Sequence, residues 1–425
     1  MRFTRWLTPI DAAGLSGVLG YALLAYESHR SDPSLVIFFG IVVGIALLTL
    51  GIYIHQPRSR FTVSRVLLWA LLFRGCAALG QPLFEDDFYR YLWDGYRFAT
   101  AGSPYGLAPE AFFTDATVPF LFHRILDQVN YPEVPTIYGP TLQYLFLTSY
   151  FIMPGSVKVL QLLLIGIDII LIGLLFKLAP ARQVLLYAWN PLVIKEIALT
   201  AHPDGLGVCL LIAAVLFQRH QKFNAAALCL AFGVAAKVFA LLLVPFVLAA
   251  GRWRHYLLFA STVLLLYGPF WYQGSSDMTA LSLFARSWEF NSALFGLFTL
   301  MVSAMTAKVI LGSGFLLFLI AYYIYYRQHP HLVRGDWIYG LLLLIAPVIN
   351  AWYWLWVLPF AVIYPSVWAW SASIALLLSY ITALNLGDFS VLPYQQPVWA
   401  RWLEWSLIGI AVLIDSQRRR LNKVN

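Results

Sequence analysis

YGPTLQYLFLTSYFIM, residues 138–153, is apolar but only 16 residues long, and its placement decides on which side every later loop falls. A helix needs about 20 apolar residues to cross ~30 Å of hydrocarbon. If this stretch spans the membrane, Lys177 and Arg182 land outside and each later basic loop inverts. If it lies in the outer interface, the next crossing is 157–177. Then FKLAPARQ (176–183), QRHQK (218–222), GRWRH (251–255) and SQRRRLNK (416–423) all face the cytoplasm. Lys and Arg concentrate in short cytoplasmic loops, so the charge distribution selects the interfacial placement.

The rest of the chain supports a membrane setting. It has 425 residues, 61% hydrophobic and 11% charged, with a mean hydropathy of +0.74. A soluble domain carries roughly 25% charged residues. Apolar runs of about 20 residues recur from end to end, and none shows the alternation of a membrane barrel. The expected class is an all-α polytopic membrane protein. Its net charge of +8 reflects the orienting loops, and no nucleic acid is expected as a partner. Arg2 and Arg5 precede the first apolar run, which reads as a retained helix because no small-x-small cleavage site follows. Cys76, Cys209 and Cys229 lie in apolar runs without metal-ligand spacing and read as packing residues.

Crossings are expected near 9–27, 35–55, 62–80, 157–177, 183–199, 204–219, 256–271, 308–326, 367–384 and 399–415. Segments 223–250 and 336–364 are long for one helix and short for two, so broken helices that cross twice fit them. Non-helical backbone at membrane depth normally lines a cavity. The total is about 14 crossings with both ends inside. Three regions result: N-terminal membrane helices over 1–80, an extracytoplasmic loop with interfacial helices over 81–153, and a helical bundle over 154–425.

Residues 81–137 form the longest polar segment, with eight acids and three arginines. It opens on EDDFYRYLWDGYRFATAGSPY (85–105). Read as a helix over 84–99, it puts Asp87, Arg90, Asp94 and Arg97 on one stripe and Phe84, Phe88, Leu92 and Tyr96 on another. Such a helix can lie flat on the membrane, apolar side down. A plain interfacial helix with ion pairs would also use this pattern. The dense aromatics and the adjacent carboxylates point further: like charges raise one carboxyl pKa, which suits a proton acceptor.

DDFYRYLWDG (86–95), GSPYG (102–106) and TIYGPTLQYLF (136–146) together resemble the membrane-embedded GT-C glycosyltransferases. They are most similar to the bacterial polyprenyl-phosphate-mannose-dependent mannosyltransferases. The resemblance is strong over 82–145, looser over 183–291 and weak over about the last 130 residues. It implies that Asp87 is the catalytic acid of a D-x-x-R-Y pattern, with Asp86 its acidic neighbour. Arg90 would contact the lipid phosphate, and Trp93, Asp94 and Gly95 match the family's W-D-G. Tyr91 and Tyr138 join the candidate substrate-binding set. Related enzymes often place a lysine before a Pro-Pro turn. Here the turn reads Ile137-Tyr138-Gly139-Pro140, so a second phosphate cation must come from elsewhere.

The implied reaction is transfer of a hexose, most naturally mannose, from a polyprenyl-phosphate donor to a hydroxyl of a lipid-linked or cell-envelope glycan. It would run with inversion, in the cell (inner) membrane, on the extracytoplasmic face. LTAHPDGLG (199–207) looks like the family's H-x-D, with His202 on phosphate and Asp204 orienting it or a sugar hydroxyl. An N-capping Asp204 after a Pro203 break explains the same letters. Lys195, inside a span, is a phosphate candidate because intramembrane ions are functional by default. Lys237, where 223–250 breaks, either snorkels or replaces the missing lysine. In FARSWEFNSALFG (284–296), Arg286, Trp288 and Asn291 resemble a loop folded over the donor; an aromatic belt is the plainer reading, as for NAWYWLW (350–356). The expected partners are the lipid-linked sugar donor, the glycan or glycolipid acceptor and membrane lipids. No cofactor is expected either, though Glu85, Asp86 and Asp87 could hold a divalent cation. A transporter or flippase of a lipid-linked sugar is the alternative, since it too would have broken helices and buried ions.

Overall fold

The structure, a computed structural model, describes residues 8–329, 331–387 and 392–424. Arg2 and Arg5, which precede the first apolar run, and residues 388–391 lie outside these residues. The described chain is helical without strands; its one β-bridge joins Phe290 to Val348.

Helices α1 (Pro9–Glu27), α2 (Leu35–His55) and α3 (Val63–Ala78) form the first bundle. Next come α4 (Phe88–Ala101), α5 (Phe120–Leu126) and α6 (Pro140–Ile152), then α7 (Val157–Leu178) and α8 (Ala181–Ala188). After them lie α9 (Pro191–Leu199), α10 (Asp204–Arg219), α11 (Phe223–Ala236), α12 (Val238–Val247) and α13 (Trp253–Tyr272). The chain ends with α14 (Met278–Ser287), α15 (Leu294–Thr299), α16 (Ala304–Gln328), α17 (Gly335–Ile345), α18 (Leu358–Ile363), α19 (Val367–Tyr380), α20 (Ala383–Leu386) and α21 (Val398–Val424). Among the described residues α2, α7 and α16 are long and apolar enough to cross a membrane, and the bent pair α9–α10 makes a fourth candidate. The expected 138–153 element is α6, 13 residues or about 20 Å long, short of the ~30 Å hydrocarbon core.

Both segments expected to break do so. Helix α11 ends at Lys237, whose backbone is extended, before α12 resumes. Helix α17 ends at Ala346, and a single 3-10 stretch, Ala351–Trp356, follows. The sharpest break lies between α9 and α10, which meet at 118°. Ile194–Leu199 is wound as a π-helix, a form found mostly at functional sites. Pro203 prevents direct continuation, and Ala201 is forced to φ +64°.

One end of the bundle is tied by contacts between basic loops and helix ends. Arg182 donates to the Tyr53 carbonyl, Arg327 to that of Ala249, and Gln218 to that of Phe246. The other end gathers the breaks at 200–203, 237 and 346–350 under the polar segment. That segment has its own core: Leu92, Trp93 and Tyr96 of α4 pack on Phe112, Phe122, Ile125 and Leu126. The helix expected over 84–99 therefore starts later, at Phe88, with Phe84 outside it at φ +60°. The Leu92 and Tyr96 side of α4 is covered by α5, so protein takes the place expected for lipid.

Candidate active site

Asp87 is the N-cap of α4 but makes no capping bond with its side chain. Its carboxylate instead turns to a cavity of about 990 Å³. Glu85, Asp86, Arg90, Tyr138, Lys237, Trp288 and Asn291 share the wall, with Tyr353 and Tyr380. Among the described residues five non-glycine positions have positive φ: Phe84, Tyr131, Ala201, Gln221 and Asn291. Three of them line this cavity, and Ala201 precedes His202. Strained backbone persists where the surroundings force it, and it clusters at functional sites.

Two close approaches assemble the wall. Gly95 lets α4 settle on α6: a Cβ there would lie 2.6 Å from the Phe146 carbonyl oxygen. Gly139 brings the Pro turn onto the end of α11, where a Cβ would meet the Ala235 oxygen at 2.3 Å. Tyr138 is thereby set beside Lys237, whose ammonium lies 5.6 Å from the tyrosine ring centre. Asp94 does not reach the cavity. It is buried and accepts from Thr136 at 2.5 Å and from Gln143 at 2.9 Å, which fixes the strand of chain carrying Tyr138.

Lys237 brings a cation to the cavity wall beside the Pro turn. Its Nζ lies 3.0 and 2.9 Å from the two carboxylate oxygens of Asp204, and Trp356 also donates to Asp204 at 2.8 Å. Asp204 is fully buried, whereas the Lys237 side chain keeps 16% exposure toward the cavity. Asp204 thus holds the lysine from behind; it makes no N-capping bond. Arg90 also lines the cavity, but its guanidinium donates to the carbonyls of Asn130, Tyr131 and Val134, which pins the loop after α5.

Burial raises all three acids of the cluster. Glu85 stands well above the usual carboxyl range from burial and from the charges of Asp87 and Asp86. Asp86 is pushed to about 7 by burial and Asp87, against the hydrogen bond from Asn130. Asp87 is raised by burial, opposed by Lys237 and Arg90. Carboxyls raised by burial and by one another, facing a cavity, are suited to accept a proton. One oxygen from each acid lies within 4.8 Å of the others. A hard divalent cation could share them, taking its remaining oxygens from substrate or water.

The other expected residues divide. Tyr91 and His202 stand one layer behind the cavity, with the Tyr91 hydroxyl 3.3 Å from His202 Nδ1. His202 is buried and stacks on Trp352 at 4.0 Å, so its ring does not reach the cavity. Lys195 is buried deeper, 3.2 Å from Glu196 and over the Tyr380 ring at 3.5 Å. Trp288 packs on Tyr131, and Asn291 donates to Glu404 at 2.7 Å. Arg286 is exposed on α14 and is absent from the cavity wall. Asn130, Asn350, Tyr353 and Tyr380 line the cavity without having been singled out in the sequence. Only NAWYWLW gave a signal for two of them. A buried pair at depth, Arg74 and Asp168, is closed by Tyr187 and the Ala188 carbonyl and opens on no described cavity.

Comparison with known proteins gives one match. Residues 13–252 fit the family model described as alpha-(1->6)-mannopyranosyltransferase, N-terminal domain. No curated protein and no solved structure matches the chain.

Proposed function

The chain belongs to the alpha-(1->6)-mannopyranosyltransferase family, whose model covers more than half of it, and on that premise we propose how its cavity transfers mannose. The donor is mannose on a polyprenyl phosphate, and the acceptor is a hydroxyl of a lipid-linked or cell-envelope glycan. The acceptor oxygen forms a bond to the anomeric carbon as the bond from that carbon to phosphate oxygen breaks. The electron pair leaves with the phosphate, and the acceptor proton passes to Asp87. One in-line displacement inverts the anomeric centre. Lys237 and Arg90 meet the charge that grows on the phosphate. Asp86 sets the charge around Asp87, and Trp288 and Asn291 wall the sugar. The carrying observation is that a base and a partly exposed cation, Asp87 and Lys237, face one cavity on either side of Tyr138. The mechanism assigns no resident metal, because these cations already face the leaving group.

The test is transfer of labelled mannose from polyprenyl-phosphate-mannose to octyl α-mannoside by the purified protein. Transfer from a nucleotide-mannose instead, with none from the lipid, would overturn the donor assignment. Arg90→Ala should slow transfer, and part of that loss should appear as a lower melting temperature because three loop carbonyls lose their donor. Slower transfer with unchanged melting would make Arg90 a phosphate ligand alone.

The same proposal places the cavity on the extracytoplasmic face of the cell membrane, with α11–α12 and α17–α18 each crossing twice and about 14 crossings in all. Ala116, exposed in the polar segment, and Arg254, exposed in the first turn of α13, should then lie on opposite sides. An impermeant thiol reagent added to intact cells should label Ala116→Cys and leave Arg254→Cys unlabelled. The reverse pattern would invert the topology.

A further inference from the structure

Lys237, Tyr138 and Asp87 account for one part of the cavity; a wall of aromatic rings forms another. A run of contacts joins the two. The Lys237 ammonium lies 5.6 Å from the Tyr138 ring centre, and the Tyr138 hydroxyl lies 3.4 Å from Asp87 Oδ2. Asp86, the neighbour of Asp87, accepts from the Asn130 amide. Tyr131 follows Asn130 and packs on Trp288 with ring centres 5.0 Å apart, and on Tyr394 at 6.0 Å. The acids therefore stand between the lysine and the aromatic wall, and all of these groups line the one cavity.

The three rings come from separate places in the chain: Trp288 just after α14, Tyr131 in the loop after α5, and Tyr394 in the segment before α21. The two tyrosines are not spent on packing a core. Tyr131 keeps 42% exposure and Tyr394 38%. Tyr131 also holds φ +48°, a conformation that bulky L residues rarely adopt, and Arg90 fixes its carbonyl there at 2.9 Å. Each ring has a polar neighbour in the chain that lines the same cavity: Asn130 beside Tyr131, Glu289 beside Trp288, and Gln395 beside Tyr394. A prenyl chain would call for apolar neighbours throughout. A sugar ring has an apolar C–H face and a rim of hydroxyls, and rings interleaved with polar side chains suit it.

The in-line displacement selects which sugar lies there. The acceptor hydroxyl must approach the anomeric carbon opposite the departing phosphate. With the phosphate at Lys237, the acceptor enters from across Asp87, over the aromatic wall. The two steps from ring to ring, 5.0 and 6.0 Å, carry that wall past the length of a single pyranose. We propose that Tyr131 and Tyr394, continuing from Trp288, form an acceptor subsite for the sugar unit behind the one that receives mannose, so that the enzyme reads its acceptor as an oligosaccharide. This rests on the reading of Lys237 as the phosphate cation and Asp87 as the base. Arg401 also lines the cavity; a donor phosphate held there would reverse the arrangement and put the donor on the aromatic wall.

The experiment measures kcat and KM for transfer from polyprenyl-phosphate-mannose to methyl α-mannoside and to methyl α-mannosyl-(1→6)-α-mannoside, the linkage being the family's. Methyl glycosides leave no alkyl chain to compete for the wall. Wild type should prefer the disaccharide by about 10-fold in kcat/KM, through KM, the equivalent of one good aromatic contact. Tyr131→Ala and Tyr394→Ala should each bring that ratio close to one without raising the KM for the lipid donor. Tyr394→Phe keeps the ring and should keep the preference. Tyr394 lies outside the loop that Arg90 holds, so it supplies the answer if Tyr131→Ala fails to fold. Equal use of the two acceptors by wild type, or a preference that survives both alanine variants, would overturn the proposal. A raised KM for the lipid donor in those variants would overturn it too, by placing the donor on this wall. Wild type that uses octyl α-mannoside but neither methyl glycoside would count against it in the same way. Wild type that transfers mannose to none of the three acceptors would instead sink the functional reading, so the two failures are distinguishable.

Discussion

Asp87→Asn should give a folded, membrane-inserted protein whose mannosyl transfer is lower by about 10²- to 10⁴-fold. Asparagine keeps the size of the side chain and an oxygen for Tyr91 and Tyr138, but it cannot take a proton. Asp87 makes no side-chain cap at the start of α4, so the helix loses only the charge term, about 0.3–1 kcal/mol. Initial rates alongside melting temperature in detergent separate chemistry from folding. Asp86→Asn should do less, because Asp86 is turned to Asn130. Inactive Asp86→Asn with active Asp87→Asn would exchange the two roles. The pH dependence has a definite sign. The base works ionised, and burial holds the Asp87 carboxyl above its ordinary value of 3.8. Transfer should therefore fall as pH drops through that raised value, an acidic limb lying above the ordinary aspartate range. A limb at or below 3.8 would show that the base is a solvated carboxylate elsewhere.

Much of this site was legible because its loudest parts are close in sequence. Glu85 to Asp94 and the Pro turn at 138–140 carry acids, a guanidinium and aromatics at fixed offsets. The 138–153 element stood out by its length and by the basic loops that follow it, and its helix is indeed short, 13 residues. The pairings were hidden for a different reason. Lys237 and Asp204 each stood out singly, but nothing in the letters says that α11 breaks where its lysine meets an aspartate 33 positions back. His202 invited a phosphate role from its motif, and only the bend at 200–203 reveals that its ring is buried behind Tyr91. Arg286 looked equivalent to Trp288 in the sequence, yet two positions along α14 and its end turn one side chain outward and leave the other in the cavity wall. Tyr353 and Tyr380 come from segments with apolar neighbours on both sides, where an aromatic signals packing as readily as a sugar surface.

Lys237→Ala should lower kcat/KM for the lipid donor by about 10- to 100-fold, the equivalent of one charge-assisted contact of ~1.5–3 kcal/mol, while the KM for octyl α-mannoside stays the same. The lysine is the cation with its head toward the cavity and a dedicated carboxylate behind it; Arg90 already spends its N–H groups on three carbonyls. The single substitution has a second effect. It leaves Asp204 buried with only Trp356 donating, and a buried charge stripped of its partner destabilises by about 3–5 kcal/mol. Lys237→Ala with Asp204→Asn removes that effect, since the neutral amide needs no counter-charge. The double variant should therefore melt closer to wild type than Lys237→Ala does, yet transfer as slowly. Recovery of donor kcat/KM together with the melting temperature would mean that Lys237 only neutralises Asp204, and that the leaving phosphate is met by another group. Lys237→Arg supplies the converse arm. It keeps the charge on a longer, planar head, so part of the donor kcat/KM should survive, whereas a lysine needed merely as a snorkelling spacer would be replaced by arginine without loss.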